Sequence, residues 1–338
     1  YYFNMTPLHE VIVNKNTDKN PIWIMRQAGR YLPEFREIRK KNPNFINLCL
    51  NDNLSSEITL QPLKRFNLDA AIIFSDILIT PYALGQQIKF TKNLGPQLSE
   101  FNKERFLDTN EKEFINKLTP IYKAIEITRK NLDKDKSLIG FIGAPWTLLF
   151  YMFNYKKNNI DIKLNKIEKY INTNLILNKL IDFLSIHIKN QVEAGADVIQ
   201  IFDSWAGLIP KDDIKKFCYI PNAKIVEFCK ERNILNICFP KGISRNYEKF
   251  NQVVKSDGIN IDFEIDPMWA KKKLKNVVIQ GGMDPKALLA NEKEMLETAT
   301  KYIKIFNDIP YIFNLGHGLL PETDPDNVEK LIKLYRNF

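Results

Sequence analysis

Eight short apolar runs of strand length alternate with helical patterns along this chain, and this alternation constrains its fold more than any other feature. The runs lack polar alternation, which is typical of strands buried on both faces of a parallel sheet. Two helical patterns are clear: Leu175–Val192, which stops before Gly195, and Pro285–Phe306, with Asp284 as its N-cap. The eight runs are Ile22–Met25, Ala70–Phe74, Leu138–Ile142, Val198–Phe202, Ile234–Phe239, Ile259–Phe263, Val277–Gln280 and Tyr311–Leu315.

Strand and helix repeated eight times predict an α/β fold, a (β/α)₈ TIM barrel formed as a single domain by residues 1–338. An open doubly wound sheet is less consistent, because no G-x-G-x-x-G or Walker A sequence follows the first run. Polar and apolar residues alternate near 85–96 (Gly85–Pro96), which predicts a hairpin-like insertion after the second strand that partly covers the barrel mouth.

Composition excludes several classes of protein. With 44% hydrophobic and 26% charged residues, the chain is neither disordered nor fibrous. The net charge of +9 suits nucleic acid, a membrane surface or a polyanionic small molecule, and does not choose among them. The longest apolar stretch, Gly140–Phe153, contains Pro145 and is too short to span a membrane. We therefore expect no membrane partner.

The cysteines give no sign of a metal site. Cys49, Cys218, Cys229 and Cys238 are irregularly spaced without a C-x-x-C pair, and the chain has three histidines. This pattern lacks the ligand spacing of a structural zinc site and favours free thiols in a reducing compartment. We therefore expect no metal.

Polar, glycine-rich and aromatic residues follow nearly every apolar run, at the end of the strand where barrel enzymes build their sites. Arginines dominate after the first run, at Arg26 and Arg30, whereas acids are few, at Asp76 and Asp203. Arginine binds carboxylates through a two-pronged fork, and an ionised aspartate accepts N–H donors. The pattern predicts a polycarboxylate ligand that also presents N–H groups.

Each of these residues also has a purely structural interpretation. Arg36 and Arg39 fit a helix surface, Asp76 fits a helix N-cap, and Asp203 with Ser204 fits capping alone. Trp146 and Trp205 fit packing at the mouth. His317 stands between two glycines, which favours a site residue over a core histidine, whereas His9 and His187 fit structural positions.

Longer sequences at the strand ends are more specific. Pro21–Arg36 is PIWIMRQAGRYLPEFR and Gly140–Tyr151 is GFIGAPWTLLFY. These segments resemble the signatures of the uroporphyrinogen decarboxylase family, and the resemblance covers essentially the whole chain. Four shorter blocks match in the right order: Phe74–Leu78, Asp203–Gly207, Gln280–Pro285 and Asn314–Leu319.

The resemblance implies a homodimeric (β/α)₈ barrel that removes four acetate carboxyl groups from uroporphyrinogen III to give coproporphyrinogen III, with no metal or organic cofactor. It implies that Asp76 accepts the pyrrole N–H groups, and that the protonated pyrrole ring serves as the electron sink. The residues expected to act in catalysis are Asp76, Arg26 and Tyr151. Those expected to bind substrate are Arg26, Gln27, Ala28, Arg30, Arg39, Asp76, Tyr151, Ser204 and His317.

Two other functions compete with this one. A methyltransferase of the same fold would hold zinc through a His-x-Cys pair, but no histidine stands two residues before a cysteine here. A nucleic-acid-binding protein would account for the charge but not for arginines at strand ends, and we expect no nucleic-acid partner.

The chain also departs from the family after Tyr151, where Asn154, Tyr155 and lysines replace an acidic residue and glycine. For its location we expect a plastid, after removal of a leader, or alternatively the cytoplasm.

Overall fold

The parallel strands form a barrel in a computed structural model that describes residues 5–91, 95–155 and 173–338. The strands are β1 (Ala70–Ile72), β2 (Ile88–Thr91), β3 (Gly95–Leu98), β4 (Ser137–Gly143), β5 (Val198–Asp203), β6 (Leu235–Pro240), β7 (Gly258–Ile261), β8 (Val278–Gly281) and β9 (Tyr311–Ile312). Seven of them make one sheet in the order β1-β4-β5-β6-β7-β8-β9, with every neighbouring pair parallel.

Helices surround this sheet and connect its strands. The pattern at 175–192 corresponds to a helix that begins at Thr173 and ends at Glu193, so that prediction is confirmed. The helices are α1 (Pro7–Val13), α2 (Pro33–Lys41), α3 (Phe45–Cys49), α4 (Asp52–Arg65), α5 (Ile79–Ala83), α6 (Lys103–Asp108), α7 (Glu111–Asn131), α8 (Pro145–Met152), α9 (Thr173–Glu193), α10 (Ile220–Glu231), α11 (Tyr247–Val254), α12 (Pro267–Lys273), α13 (Glu292–Phe306) and α14 (Pro325–Arg336).

The first apolar run closes the barrel without forming a regular strand, and in this respect the prediction was wrong. Ile22 makes an isolated parallel bridge to Phe313, and its carbonyl accepts the Asp69 amide at 2.9 Å. Side chains replace the usual ladder partners of this segment: Asp69 Oδ2 accepts the Ile22 amide and Gln27 Oε1 accepts the Ile24 amide. The backbone then turns away at Arg26, which has a left-handed φ of 63°. The segment still occupies the eighth position between β9 and β1.

The helix predicted at 285–306 is interrupted. Pro285–Leu289 forms a 3₁₀ turn that Asp284 caps, as expected, by accepting the Lys286 amide at 2.9 Å. The chain is extended at Ala290, and the Asn291 side chain then caps a new helix, α13, by accepting the Glu294 amide at 3.0 Å. Asn291 is a strong N-cap residue, and it starts the helix where the periodic pattern alone gave no boundary.

A two-stranded hairpin lies where the insertion was expected. β2 and β3 pair antiparallel from Ile88 with Leu98 to Thr91 with Gly95, and residues 92–94 lie outside the described part of the chain. The Gln86 amide nitrogen donates to the carbonyls of Ser99 and Met152, at 2.9 and 3.0 Å. The hairpin is therefore fixed to the end of α8, beside the barrel mouth.

The barrel interior is apolar at its amino end and contains amides at mid-height. Helix α1 packs Leu8, Val11 and Ile12 against inward-facing strand residues such as Trp23 and Ile237. Above them the amide of Gln280 bridges Gln200, Asn260 and Trp23, with bonds of 3.0, 2.8 and 2.9 Å. Because α1 covers the amino end, the residues at the carboxyl ends of the strands line the open end.

Candidate active site

The loop after the first apolar run presents Arg26 and is held rigidly from below. Gln27 is buried, its Oε1 accepts the Ile24 amide and its Nε2 donates to the Ala70 carbonyl, both at 2.9 Å. Its side chain thus supports the loop and is not available to a ligand, unlike our expectation of a substrate contact. Ala28, the next residue, is half-buried.

Arg26 shares its surroundings with the other expected site residues. Its side chain lies directly over Gly318, where an added Cβ would overlap with Cδ and Cγ of Arg26. The side chain is reached by solvent although protein atoms surround it, as in an open cleft. Burial and the charge of Arg30 lower the pKa of Arg26, whereas Asp76 and Tyr151 raise it. Arg26, Asp76 and Tyr151 therefore lie on the same side of the barrel.

Asp76 follows β1 and is the half-buried carboxylate of this cleft. Its Oδ1 accepts the Leu78 amide at 2.8 Å, so it performs the capping role that was the structural alternative. Within the described part of the chain no donor reaches its Oδ2, which leaves that oxygen for a ligand. Burial raises the pKa of Asp76 to about 6, while the Leu78 hydrogen bond and the Arg26 charge oppose this shift. Asp76 is thus ionised at neutral pH but close to its titration range.

Tyr151 lies in the last turn of α8, among aromatic rings. Its ring centroid lies 6.1 Å from that of Trp205, which stacks on Phe150 at 4.9 Å. Burial raises the pKa of the Tyr151 hydroxyl, and the neighbouring Trp205 indole and the Arg26 charge act in the opposite direction. The Trp146 indole nitrogen donates to the Trp205 carbonyl at 2.9 Å, so both tryptophans pack the mouth. Tyr151 is therefore a neutral hydroxyl held at the rim.

Asp203 is a support and not a second open carboxylate. It is 1% exposed, and it accepts hydrogen bonds from the Thr147 hydroxyl at 2.7 Å and the Asn222 amide at 3.0 Å. Burial raises its pKa to about 6 against these bonds. Thr147 also accepts the Trp205 amide at 3.1 Å. Asp203 thereby ties α8 to the loop that carries the half-buried Ser204.

His317 is a neutral hydrogen-bond donor at this mouth. The Gly318 amide donates to its Nδ1 at 2.7 Å, so the proton of the neutral ring resides on Nε2. Burial lowers the pKa of His317 to about 4, and the positive charges of Lys241 and Arg26 lower it further. By contrast, His187 is buried against the Tyr122 hydroxyl at 3.1 Å, as its structural assignment predicts.

The other expected arginines line an open recess of about 650 Å³. Arg36 donates to the carbonyls of Arg30 and Tyr31, and Arg39 lies over the Phe45 ring at 5.6 Å. Phe45 in turn contacts Phe74, two residues before Asp76 in the sequence. The recess is lined by Arg30, Phe35, Arg36, Arg39, Lys40, Pro43 and Pro321. Its four cations suit a ligand that carries several carboxylates.

Two phenylalanines that we did not predict belong to the candidate site. Phe141 on β4 and Phe202 on β5 are half-buried, and their rings meet edge to face at 5.6 Å. Both point into the barrel beneath the mouth, where they form an apolar floor with the buried Met25 and Ile72. Because strand phenylalanines resemble core residues, only their position at the carboxyl ends of strands could have indicated this role.

The departure after Tyr151 has a structural role. Asn154 adopts a left-handed φ of 54°, and its side chain pairs with the backbone of Leu98, donating at 3.0 Å and accepting at 3.3 Å. Tyr155 packs on Phe150 at 5.9 Å. Asn154 thus joins the end of α8 to the hairpin. Lys156 and Lys157 lie outside the described residues.

Sequence comparison relates the whole chain to known proteins. A family model described as uroporphyrinogen decarboxylase (URO-D) matches residues 4–338. A uroporphyrinogen decarboxylase of Rickettsia bellii is 42% identical, over 96% of this chain and 97% of the relative. Another, from Orientia tsutsugamushi, is 40% identical over 99% of both chains. This chain belongs to the uroporphyrinogen decarboxylase family. As a member of that family it is a carboxy-lyase of porphyrin biosynthesis.

Comparison of structures supports the fold alone. A methyltransferase from Methanosarcina mazei aligns with a TM-score of 0.79 at 18% identity, covering 100% of this chain and 99% of that one. Among the described residues, His, Cys, Asp and Glu side chains form no group of three or more that could hold a metal ion. Across those same residues, no helix is both long and apolar enough to traverse a bilayer.

Proposed function

We propose that this chain decarboxylates the four acetate side chains of uroporphyrinogen III to give coproporphyrinogen III, without a metal or organic cofactor. The observation that carries this proposal is the open carboxylate of Asp76, in a half-buried cleft that also contains Arg26 and Tyr151. A cyclic tetrapyrrole with eight carboxylates presents N–H donors at its centre and negative charge at its edge. The cleft has the complementary arrangement, an acceptor within a rim of cations.

Each residue then has a role that follows from its position. Asp76 Oδ2 accepts the pyrrole N–H groups, and Arg30 and Arg39 bind carboxylates at the periphery. Arg26 orients the reacting acetate or a water, because a guanidinium is a poor acid near neutral pH. The Tyr151 hydroxyl, Ser204 and His317 Nε2 supply neutral hydrogen bonds at the rim and wall. Gln27 supports the loop, and Ala28 contributes its backbone.

The substrate itself provides the electron sink. A proton adds to the pyrrole ring at the carbon next to the one that bears the acetate, and the ring becomes positively charged. The C–C bond to the carboxylate breaks and carbon dioxide leaves. The electron pair of the broken bond forms a double bond between the methylene and the ring, and this neutralises the ring. That methylene takes up a proton to become a methyl group, and the added ring proton is released. Asp76 stabilises the cationic stage, since a preorganised charge in a sheltered site acts more strongly than water.

The test is incubation with chemically reduced uroporphyrinogen III under anaerobic conditions, followed by oxidation and counting of carboxyl groups. We expect products with seven, six, five and finally four carboxyl groups. An unchanged octacarboxylic product would contradict the proposal. Dialysis against a chelator should leave the activity unchanged, whereas a loss that zinc restores would favour methyltransferase-like chemistry.

A homodimer is also proposed, on the family resemblance. Sedimentation should give twice the chain mass of 39.5 kDa, and a monomer at assay concentrations would contradict this. The named relatives are bacterial, so they favour the cytoplasmic alternative and give no support to a plastid location.

A further inference from the structure

Asn314 lies between two residues of the candidate site and touches the backbone beside each. It is completely buried, just after β9. Its Oδ1 accepts the Met25 amide, next to Arg26, and the Leu315 amide, two residues before His317, both at 2.8 Å. One oxygen atom therefore joins the loop that carries Arg26 to the loop that carries His317.

Further contacts make this junction rigid. The Leu319 amide donates to the Met25 carbonyl at 2.9 Å, so both polar groups of the Met25 backbone are bonded to residues 314–319. Gly318 leaves room for the aliphatic part of the Arg26 side chain, because a Cβ at this position would overlap with it. The backbone of Arg26 itself is left-handed, a conformation that costs free energy in a residue other than glycine. The surrounding contacts must hold Arg26 in this conformation, and Asn314 supplies the contact to Met25, the residue immediately before it.

The other end of the Asn314 side chain indicates that stability alone does not explain this residue. Two amide donors fix the orientation of the group, since only an oxygen can accept both. The nitrogen Nδ2 is then buried, and it finds no acceptor among the described residues. A buried donor without a partner destabilises the folded state. Such local costs are typical of positions that orient functional groups.

We propose that Asn314 is a positioning residue that sets the Arg26 guanidinium against His317 for the decarboxylation. It touches neither the substrate nor the reacting atoms and acts through the two loops. The inference rests on the proposed function, because its main readout is the turnover of uroporphyrinogen III. Wild-type activity is therefore measured first: an inactive wild type refutes the function, whereas an active wild type allows the inference to be tested alone.

The test compares Asn314→Leu with Asn314→Asp. The leucine variant loses both acceptor bonds, and since misplacement of about 1 Å can cost about 100-fold, we expect kcat to fall by about 10- to 100-fold, with a smaller change in KM. The aspartate variant keeps an oxygen facing both amides and should recover kcat to within about fivefold of wild type. A folded leucine variant with wild-type kcat would overturn the proposal, and so would an aspartate variant as inactive as the leucine one.

Asn236→Leu is the matched control. Asn236 is equally buried but lies at the amino end of β6, where its amide donates to Asp257 at 2.7 Å. The Asn236→Leu substitution should lower the thermal stability while leaving kcat within about twofold of the wild-type value. If Asn314→Leu does not fold, Asn314→Ser serves instead, since its shorter side chain cannot reach both amides. A double-mutant cycle with Arg26→Ala should show strong coupling, and full additivity of the two losses would also overturn the proposal.

Discussion

The Gly318 amide donates a hydrogen bond to Nδ1 of His317 at 2.7 Å, and this contact decides which ring nitrogen carries the proton. With Nδ1 occupied as an acceptor, the neutral ring presents Nε2–H to the cleft. Burial and two neighbouring positive charges, Lys241 and Arg26, lower the pKa of His317 to about 4. The side chain is therefore a neutral hydrogen-bond donor at physiological pH.

This assignment predicts the ¹⁵N NMR spectrum of the histidine-labelled protein. His317 should give the shifts of an Nε2–H tautomer and remain unprotonated down to about pH 5, because its pKa lies near 4. His317→Gln identifies the resonance. A His317 signal that titrates near 6.5 would contradict the assignment.

Asp76→Asn should remove most of the activity while preserving the fold. The asparagine oxygen still accepts the Leu78 amide, so the local turn is retained. The charge that stabilises the cationic pyrrole is lost, and comparable losses of electrostatic stabilisation lower kcat by about 10²- to 10³-fold. Steady-state kinetics and thermal unfolding on the same preparation provide the measurement. Near-normal turnover would remove Asp76 from the mechanism.

The pH dependence of kcat/KM should report the same carboxylate. Burial raises the pKa of Asp76 to about 6, and the ionised form is the active one. Activity should therefore be present above pH 6 and fall as the pH decreases through about 6. Asp203 has a similar pKa but is buried inside the protein. The residual activity of Asp76→Asn should therefore lack the acidic limb, the fall of activity as the pH decreases through about 6. A limb that persists in the variant would assign the titration to another group.

Thr147→Val should destabilise the protein and loosen the mouth. The hydroxyl donates to the buried Asp203 and accepts the half-buried Trp205 amide, so its loss removes one hydrogen bond from each of these groups. The expected decrease in the free energy of unfolding is about 1–3 kcal/mol, measured by urea denaturation. Thr298→Val is the control, since its hydroxyl makes an exposed hydrogen bond within α13 and its loss should change stability by less than about 0.5 kcal/mol. Equal effects of both substitutions would contradict the role of Thr147.

Much of the fold could be predicted because burial on both faces of the sheet leaves a simple apolar pattern. The strands from β1 to β9 that form the barrel coincide with predicted runs. The first run differs because side chains of Asp69, Gln27 and Asn314 take the place of backbone partners, and apolar periodicity carries no information on such bonds. The break at Asn291 was missed for a similar reason, because one capping side chain starts a new helix inside a continuous apolar pattern.

The candidate site was predictable where chemistry differs from the background. Charged residues at strand ends, Arg26 and Asp76, are conspicuous in the sequence, and the structure brings them together. The orientation of a side chain is not visible in this way. Gln27 stands within the longest motif but faces inward, while Phe141 and Phe202 resemble core residues but form the floor. Contacts between distant segments decide these outcomes.

The most direct test of the account is a crystal structure of the protein with the reduced product, coproporphyrinogen III, prepared anaerobically. We predict that the Asp76 carboxylate lies about 3 Å from the pyrrole nitrogens, within hydrogen-bonding range. The propionates should extend towards Arg30 and Arg39, with the macrocycle resting on Phe141 and Phe202. A macrocycle bound away from this cleft, or one whose nitrogen atoms do not face Asp76, would contradict the central claim.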